Sequence, residues 1–480
     1  MKLNYFFTLL FFNTLLSFGQ WSQIGQTING ENAGDGSGVS VALSNDGSIM
    51  AIGADYNNGN GTDAGHVRVY QKESENWVQI GQDIDGAVSF DYFGLSVSLS
   101  GDGNIVAIGS YFHSLDINTP NIGQVRVFQN QSGNWVQIGQ DINGEAEEDH
   151  SGYAVSLSSD GDIVAIGAPN NHGSGTDSGH VRVFENQAGT WVQIGQDIDG
   201  EASEDYFGSS VSISANGDIV AIGSDSNDGN GTDSGHVRVY ENQAGTWVQI
   251  GQDIDGDASE DYFGFSISLS DDGNILATGG IGADTGYVKV FENQAGAWVQ
   301  MGQDIEGEAS EDAFGWSVSL SADGTILAVG GGNNDGNGSD SGHVRVFQNL
   351  SGAWTQIESD IDGEAGADYF GQAVCLSGDG SSLAVGAPGN DGNGTDSGHV
   401  KVYEVPVNVL SSKDITMLDN YRIKVENSKI IVLTNEEIEL SIYNLNGVNI
   451  NNGNLEQGAV YLVKINNEQG NCILRKVVII

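Results

Sequence analysis

The chain is poor in cysteine, proline and cations. Its 480 residues include 2 Cys, 4 Pro and 16 Lys plus Arg. Cys375 and Cys472 fall in different regions, so disulfides do not hold this chain together. Set against 65 Asp plus Glu, the few cations leave a formal net charge of -49. Such a surface repels phosphate backbones and anionic lipid, so nucleic acid and membrane surfaces are poor partners. Past the amino terminus no run reaches the roughly 18 apolar residues a membrane span needs, so no transmembrane span is expected in the mature chain. No segment sustains a helical hydrophobic period. Catalytic signatures are missing too: there is no His-Glu-x-x-His, no Gly-x-Ser-x-Gly and no Cys/His cluster. Carboxylate pairs are so common that none points to glycosidase chemistry. The expectation is a protein that is not an enzyme.

Glycine, by contrast, supplies 71 residues, roughly twice its usual share. Aromatic and aliphatic residues are ample for a core, with 8 Trp, 15 Tyr and 17 Phe. Residues 1–19 read as a signal peptide. Lys2 precedes an apolar stretch from Tyr5 to Phe18, and Ser17-Phe18-Gly19 resembles a small-x-small cleavage site. Secretion or an outer-surface location is therefore expected.

Residues 20–406 are repetitive. The phrase Trp-x-Gln-Ile, or a close variant, begins at Trp21, Trp77, Trp135, Trp191, Trp247, Trp298 and Trp354. Between tryptophans a unit recurs, clearest from Asp205 to Gly256. Its first strand alternates serine with Val211 and Ile213, and its second, Ile219 to Ile222, is continuously apolar. The third alternates His236, Arg238 and Tyr240 with Val237 and Val239, and the fourth alternates Trp247 and Gln249 with Val248 and Ile250. Asn216-Gly217, or Asp-Gly in other copies, marks the first hairpin. Four strands per repeat of this length predict an all-β, seven-bladed β-propeller. The copy starting at Phe370 lacks its fourth strand, and an orphan fourth strand stands at Trp21 to Gly25. A ring closed by the N-terminal strand is expected, since it removes two sheet edges.

The Phe207-Gly208 opening, with Gly167-Ala168-Pro169 and Gly386-Ala387-Pro388, resembles FG-GAP repeats, as found in integrin α chains and bacterial surface proteins. The resemblance implies a seven-bladed head with a binding or adhesion role. The family's Asp-rich calcium loop between first and second strands is missing, replaced by tight turns such as Asp160-Gly161 and Asp272-Gly273. Its usual metal site is not carried over.

Periodicity ends at Val405-Pro406. Alternating runs at Ile430 to Leu433, Leu440 to Tyr443, Val460 to Ile465 and Ile473 to Ile480 predict a small β-sandwich domain over residues 407–480. Leu440 to Gly447, Gly458 to Ile465 and the Lys476-Val-Val-Ile ending resemble a type A sorting domain of type IX secretion. That resemblance implies the type IX secretion machinery as a partner of residues 407–480, and removal of the tail after export.

In an up-and-down blade, the loops joining strands two and three share a face with the blade-to-blade loops. Most of the propeller's carboxylates fall in these two classes, typified by Asp253, Asp255, Asp257, Glu260 and Asp261 in the second. Calcium takes six to eight oxygens from flexible glycine-bearing loops. Asp225, Asn227, Asp228, Asn230 and Asp233 offer that chemistry, as do Asp335, Asn337 and Asp340, and Asp391, Asn393 and Asp396. These are the candidate Ca2+ ligands, against the alternative that they are turn formers in solvated loops. The repeated histidines, cations and tryptophans are expected to pack or pair within the structure. Two loops break the symmetry of this face: Tyr111 to Asp116 in copy two and Gly279 to Asp284 in copy five. The sequence thus predicts an exported, non-enzymatic binding or adhesion module whose acidic face meets an unknown protein or glycan ligand, with calcium as a candidate aid. A secreted carbohydrate-active enzyme and a structural surface-layer protein are the alternatives.

Overall fold

The computed structural model describes residues 21–115, 120–282, 284–350 and 352–406, and beyond these only the strands of the C-terminal segment. The expected signal peptide at residues 1–19 lies outside the described residues, as do 116–119 of the copy-two loop and 283 of the copy-five loop. The chain divides into two compact units, Met1–Val405 and Pro406–Ile480.

The first unit holds seven antiparallel sheets. One example runs Ser210–Ile213, Ile219–Ser224, His236–Asn242 and Trp247–Gln249. The alternating first strand is half-buried, the apolar second strand almost wholly buried, as a strand covered on both faces must be, and the third is buried over His236 to Val239. A fifth piece was not expected. After Gly251 turns at φ 81 the chain re-enters the sheet at Ile254–Asp255, pairing with His236 and Val237. Part of what reads as a blade-to-blade loop is therefore strand.

Blades are tied to each other by the residues that recur. Phe207, Phe263 and Phe314 are fully buried, and Phe263 joins Ala221, Val237 and Val239 of one blade to Leu276, Phe291 and Trp298 of the next. Gly208 sits at φ 92, and a Cβ there would come within 2.8 Å of the His180 carbonyl oxygen, so the Phe-Gly pair demands its glycine. The indole of each fourth-strand tryptophan donates to the preceding blade, as Trp247 Nε1 does to the Ile194 carbonyl at 2.9 Å. The inner-strand serines do more than save space at the axis. Ser210 Oγ donates to the Gly264 carbonyl, and Ser212 Oγ accepts from the Leu269 amide. In the seventh blade Cys375 takes the serine's place, its Sγ accepting from the Leu43 amide of the first blade at 3.3 Å. Burial pushes that thiol up to about 11, so it remains a protonated serine substitute.

The sheet of Ala373–Leu376, Ser382–Ala387 and His399–Glu404 also contains Ser22–Gln23 and Ile28–Asn29. Ser22 pairs with Glu404 and Ile28 with Val400, both antiparallel.

In the second unit, Thr416–Leu418, Tyr421–Glu426 and Lys429–Leu433 form one three-stranded antiparallel sheet. Ile438–Asn444, Val460–Asn467 and Cys472–Val478 form another. Among the described residues no helix is long and apolar enough to cross a membrane.

Candidate functional site on the acidic face

The two loop classes do share a face, and they are laced together. Asn230 Nδ2 donates to the Gly256 carbonyl at 2.7 Å, Asn337 Nδ2 to that of Gly363, and Asn393 Nδ2 to those of Gly30 and Glu31. Asn227 is buried, donates to Asp205 Oδ2 at 3.0 Å and accepts the Gly229 amide through Oδ1. Asp228, Asp335 and Asp391 each accept the amide of the residue five positions on, which is Asp233, Asp340 and Asp396. These last three sit at φ 51, 55 and 51. The candidate ligand residues therefore share loops, but many of their polar atoms are spent on turn geometry. Asp225 stands apart beside the channel mouth, and burial pushes its carboxyl up to about 6.

One carboxylate per blade is structural. Asp35, Asp149, Asp205 and Asp368 each receive the amide of the asparagine 22 residues on: Asn57, Asn171, Asn227 and Asn390. In copy two His113 fills that role, its Nδ1 lying 3.0 Å from Asp91 Oδ1. In copy five, where the loop is short, the Tyr287 hydroxyl donates to Asp261 instead.

The blade histidines do meet carboxylates, although not across two histidines. Glu31, His66 and Asp83 present ligand atoms within 4.8 Å of one another, and three other blades repeat the group around His180, His236 and His343. A built-in cation already serves these carboxylates. Arg238 spans Asp253 and Glu201 at 2.7 and 2.6 Å, and Arg182 lies 3.3 Å from Glu145. Burial holds His66, His180, His236 and His399 down at about 4, helped by the repelling Arg or Lys two residues on, so all four are neutral at pH 7.

What the repeats do not share is aromatic. The residue after each Phe-Gly position opens an inner strand at the mouth of the central channel. There Tyr153 is 40% exposed, and Phe265 meets Trp316 edge-on at 5.1 Å. The copy-two loop adds Tyr111 and Phe112, their centroids 4.4 Å apart. Tyr111 reaches Tyr153 at 5.7 Å, while Tyr92 links Phe112 to Tyr56. This makes one aromatic surface across the first three blades. Tyr92, Tyr206, Tyr262 and Tyr369 occupy left-handed backbone at φ 50 to 53. Ala313 and Gly36 fill the same position in other copies, so the turn does not require the ring.

Rings flanked by carboxylates can stack on sugars or hold cations, and an acidic seven-bladed β-propeller with an aromatic mouth fits a binding role. Three of its repeats match the FG-GAP repeat family, over residues 198–240, 306–347 and 359–403. No curated protein matches the chain in sequence. Among solved structures, a proposed 6-phosphogluconolactonase from Bacteroides uniformis is similar at 13% identity and TM-score 0.48, covering 68% of this chain and 86% of its own. A functionally unknown protein from Desulfotomaculum acetoxidans is 13% identical at TM-score 0.43, with coverages of 71% and 90%. The Dos1 propeller is 14% identical at TM-score 0.44, with coverages of 80% and 96%.

Proposed function

We propose that this chain is an exported, non-enzymatic binding or adhesion propeller that takes a protein or glycan ligand on its acidic face. The observation that carries the reading is the aromatic surface from Tyr56 through Tyr92, Tyr111 and Phe112 to Tyr153, set among carboxylates at the channel mouth. The pairing of Ser22–Gln23 and Ile28–Asn29 with His399–Glu404 supports a ring closed by the N-terminal strand. Residues 407–480, read as a small β-sandwich, would carry the chain to the type IX secretion machinery, and residues 1–19 would direct it to export.

The test is adhesion of the purified propeller to glycan arrays and to cell-envelope preparations. Tyr153→Ala with Trp316→Ala should lower binding at least tenfold with an unchanged melt; undiminished binding would remove this surface from the reading. The enzyme alternative draws on Asp55 and Asp225, whose carboxyls are raised as a general acid requires. Turnover on a polysaccharide panel, abolished by Asp225→Asn, would favour it.

Calcium dependence is a separate proposal, resting on the outward carboxylates Asp228, Asp335 and Asp391. At a hundredfold excess over Kd, native-state binding adds about 2.7 kcal/mol. A melt shifted up by several degrees with calcium, and not with matched magnesium, is the expected outcome. No calcium-specific shift removes the metal.

A further inference from the structure

Where four of the six other copies carry Asp-Tyr-Phe-Gly, the first blade reads Asp35-Gly36-Ser37-Gly38. Loss of the tyrosine at Gly36 leaves a cavity of about 360 Å³ between the seventh and first blades. Tyr56 and Tyr369 line it, 46% and 36% exposed, with Pro388 and Asp396 at its margin and Asp55 also in its wall. Asp55 is only 2% exposed, and its Oδ1 has no hydrogen-bond partner. That oxygen faces the vacated position, since a Cβ on Gly36 would lie 3.5 Å from Asp55 Oδ1 and 3.5 Å from the Tyr56 ring. A buried carboxylate with one unpartnered oxygen is costly, and a counter-charge or a proton relieves it.

We infer that this pocket binds a primary alkylammonium, the group a lysine side chain carries, between the Tyr56 and Tyr369 rings and over the Asp55 carboxylate. The inference rests on the acidic face being the ligand face. Aromatic walls attract a cation through their ring quadrupoles, and a desolvated carboxylate supplies the opposite charge. The surrounding field selects the same sign, because Asp396 edges the pocket and the whole chain is strongly negative. A neutral sugar could stack on the same rings but would gain no charge pairing from Asp55, so an ammonium is the better match. Burial pushes Asp55 up to about 7, with Asp63 adding to the rise, so a bound cation also takes over the work of a proton there.

The experiment uses the full chain with two probes, n-butylammonium and Nα-acetyl-lysine methylamide, and Nα-acetyl-norleucine methylamide as the uncharged control. Titration by NMR or calorimetry should show the ammonium probes binding at least tenfold more tightly than the control. Tighter binding of the lysine probe than of butylammonium would point to a protein as the source. Asp55→Asn and Gly36→Tyr should each cost at least tenfold. Gly36→Tyr places the siblings' own residue at a φ of 64, close to the φ the tyrosines already adopt, so the fold should survive. Equal affinity for the norleucine control, or full affinity in Asp55→Asn, would overturn the inference. So would methyl glucoside binding that Gly36→Tyr blocks in a chain deaf to ammonium. Failure here remains distinct from failure of the binding face: adhesion lost with Tyr153→Ala and Trp316→Ala but kept in Asp55→Asn would sink the ammonium pocket alone.

Discussion

Replacing His66, His180, His236, His343 and His399 with glutamine should abolish most of the propeller's loss of stability between pH 6.5 and pH 4. Each of these side chains is at most 2% exposed, and its Nε2 has no hydrogen-bond partner. Burial, the largest cause, lowers all five; His66, His180, His236 and His399 fall from 6.5 to about 4. In the unfolded chain the same residues take up protons near pH 6.5. Below that pH the unfolded state therefore binds more protons than the folded one, and stability falls until the folded pKa is passed. By pH 4 the cost is on the order of 3 kcal/mol for each of the four, together comparable to a typical total stability. Asp55 and Asp225 act with the opposite sign. Their folded pKa values lie above the unfolded 3.8, so they lose stability as pH rises and regain it on acidification. Comparing the variant with the parent cancels that contribution. Glutamine is the natural substitute because Gln124 holds this position in copy two, buried and donating to Asn143 Oδ1 at 3.0 Å. The parent's melting midpoint should drop by roughly ten degrees or more from pH 7 to pH 4.5, and the variant's by less than half as much. Parallel curves would show that the histidines do not govern acid lability.

Removing residues 21–30 should destabilise the whole ring. Four residues of ladder with His399–Glu404 would go, together with buried Ile28 and the bonds that Gln26 and Ile24 make to Trp77. At about 1 kcal/mol per hydrogen bond and roughly 2 kcal/mol for the isoleucine, the loss is on the order of 6 kcal/mol or more. The outer edge of the seventh blade would also be left open to pair with another chain. The expected outcome is a melt lowered by several degrees, self-association in light scattering, and partial recovery when a peptide of residues 21–30 is added. A monomer melting within two degrees of the parent would mean that the ring does not depend on its N-terminal strand.

Much of this architecture could be read in one dimension because its determinants are local. Period-two alternation around Val211 and Ile213, the continuous run from Ile219, and the Asn216-Gly217 turn each act within a few residues. What was missed acts across blades. The Ile254–Asp255 segment looks like loop because two residues carry no period, and only their pairing with His236 and Val237 reveals them. Of the asparagines read as candidate metal ligands, Asn227 bonds buried Asp205, whereas Asn230, Asn337 and Asn393 donate to backbone carbonyls of the adjoining loop. A readable signal existed in the constant spacing of 22 residues from Asp205 to Asn227 and in three other copies. The histidine groups gather carboxylates from two successive blade-to-blade loops, as His236 does with Glu201 and Asp253. The pocket at Gly36 was visible only as a missing tyrosine.

By itself the sequence determined four of the five strands in each repeat, the seven-fold count and the acidity of one face, because side-chain alternation and turn chemistry are properties of consecutive residues. Only the tertiary structure decided which carboxylates are spent on the fold and which are left pointing outward. It also decided that rings from Tyr56 to Tyr153 form one surface and that Asp55 Oδ1 lacks a partner. Those outcomes depend on what stands opposite each side chain, and in a propeller the residue opposite belongs to another blade.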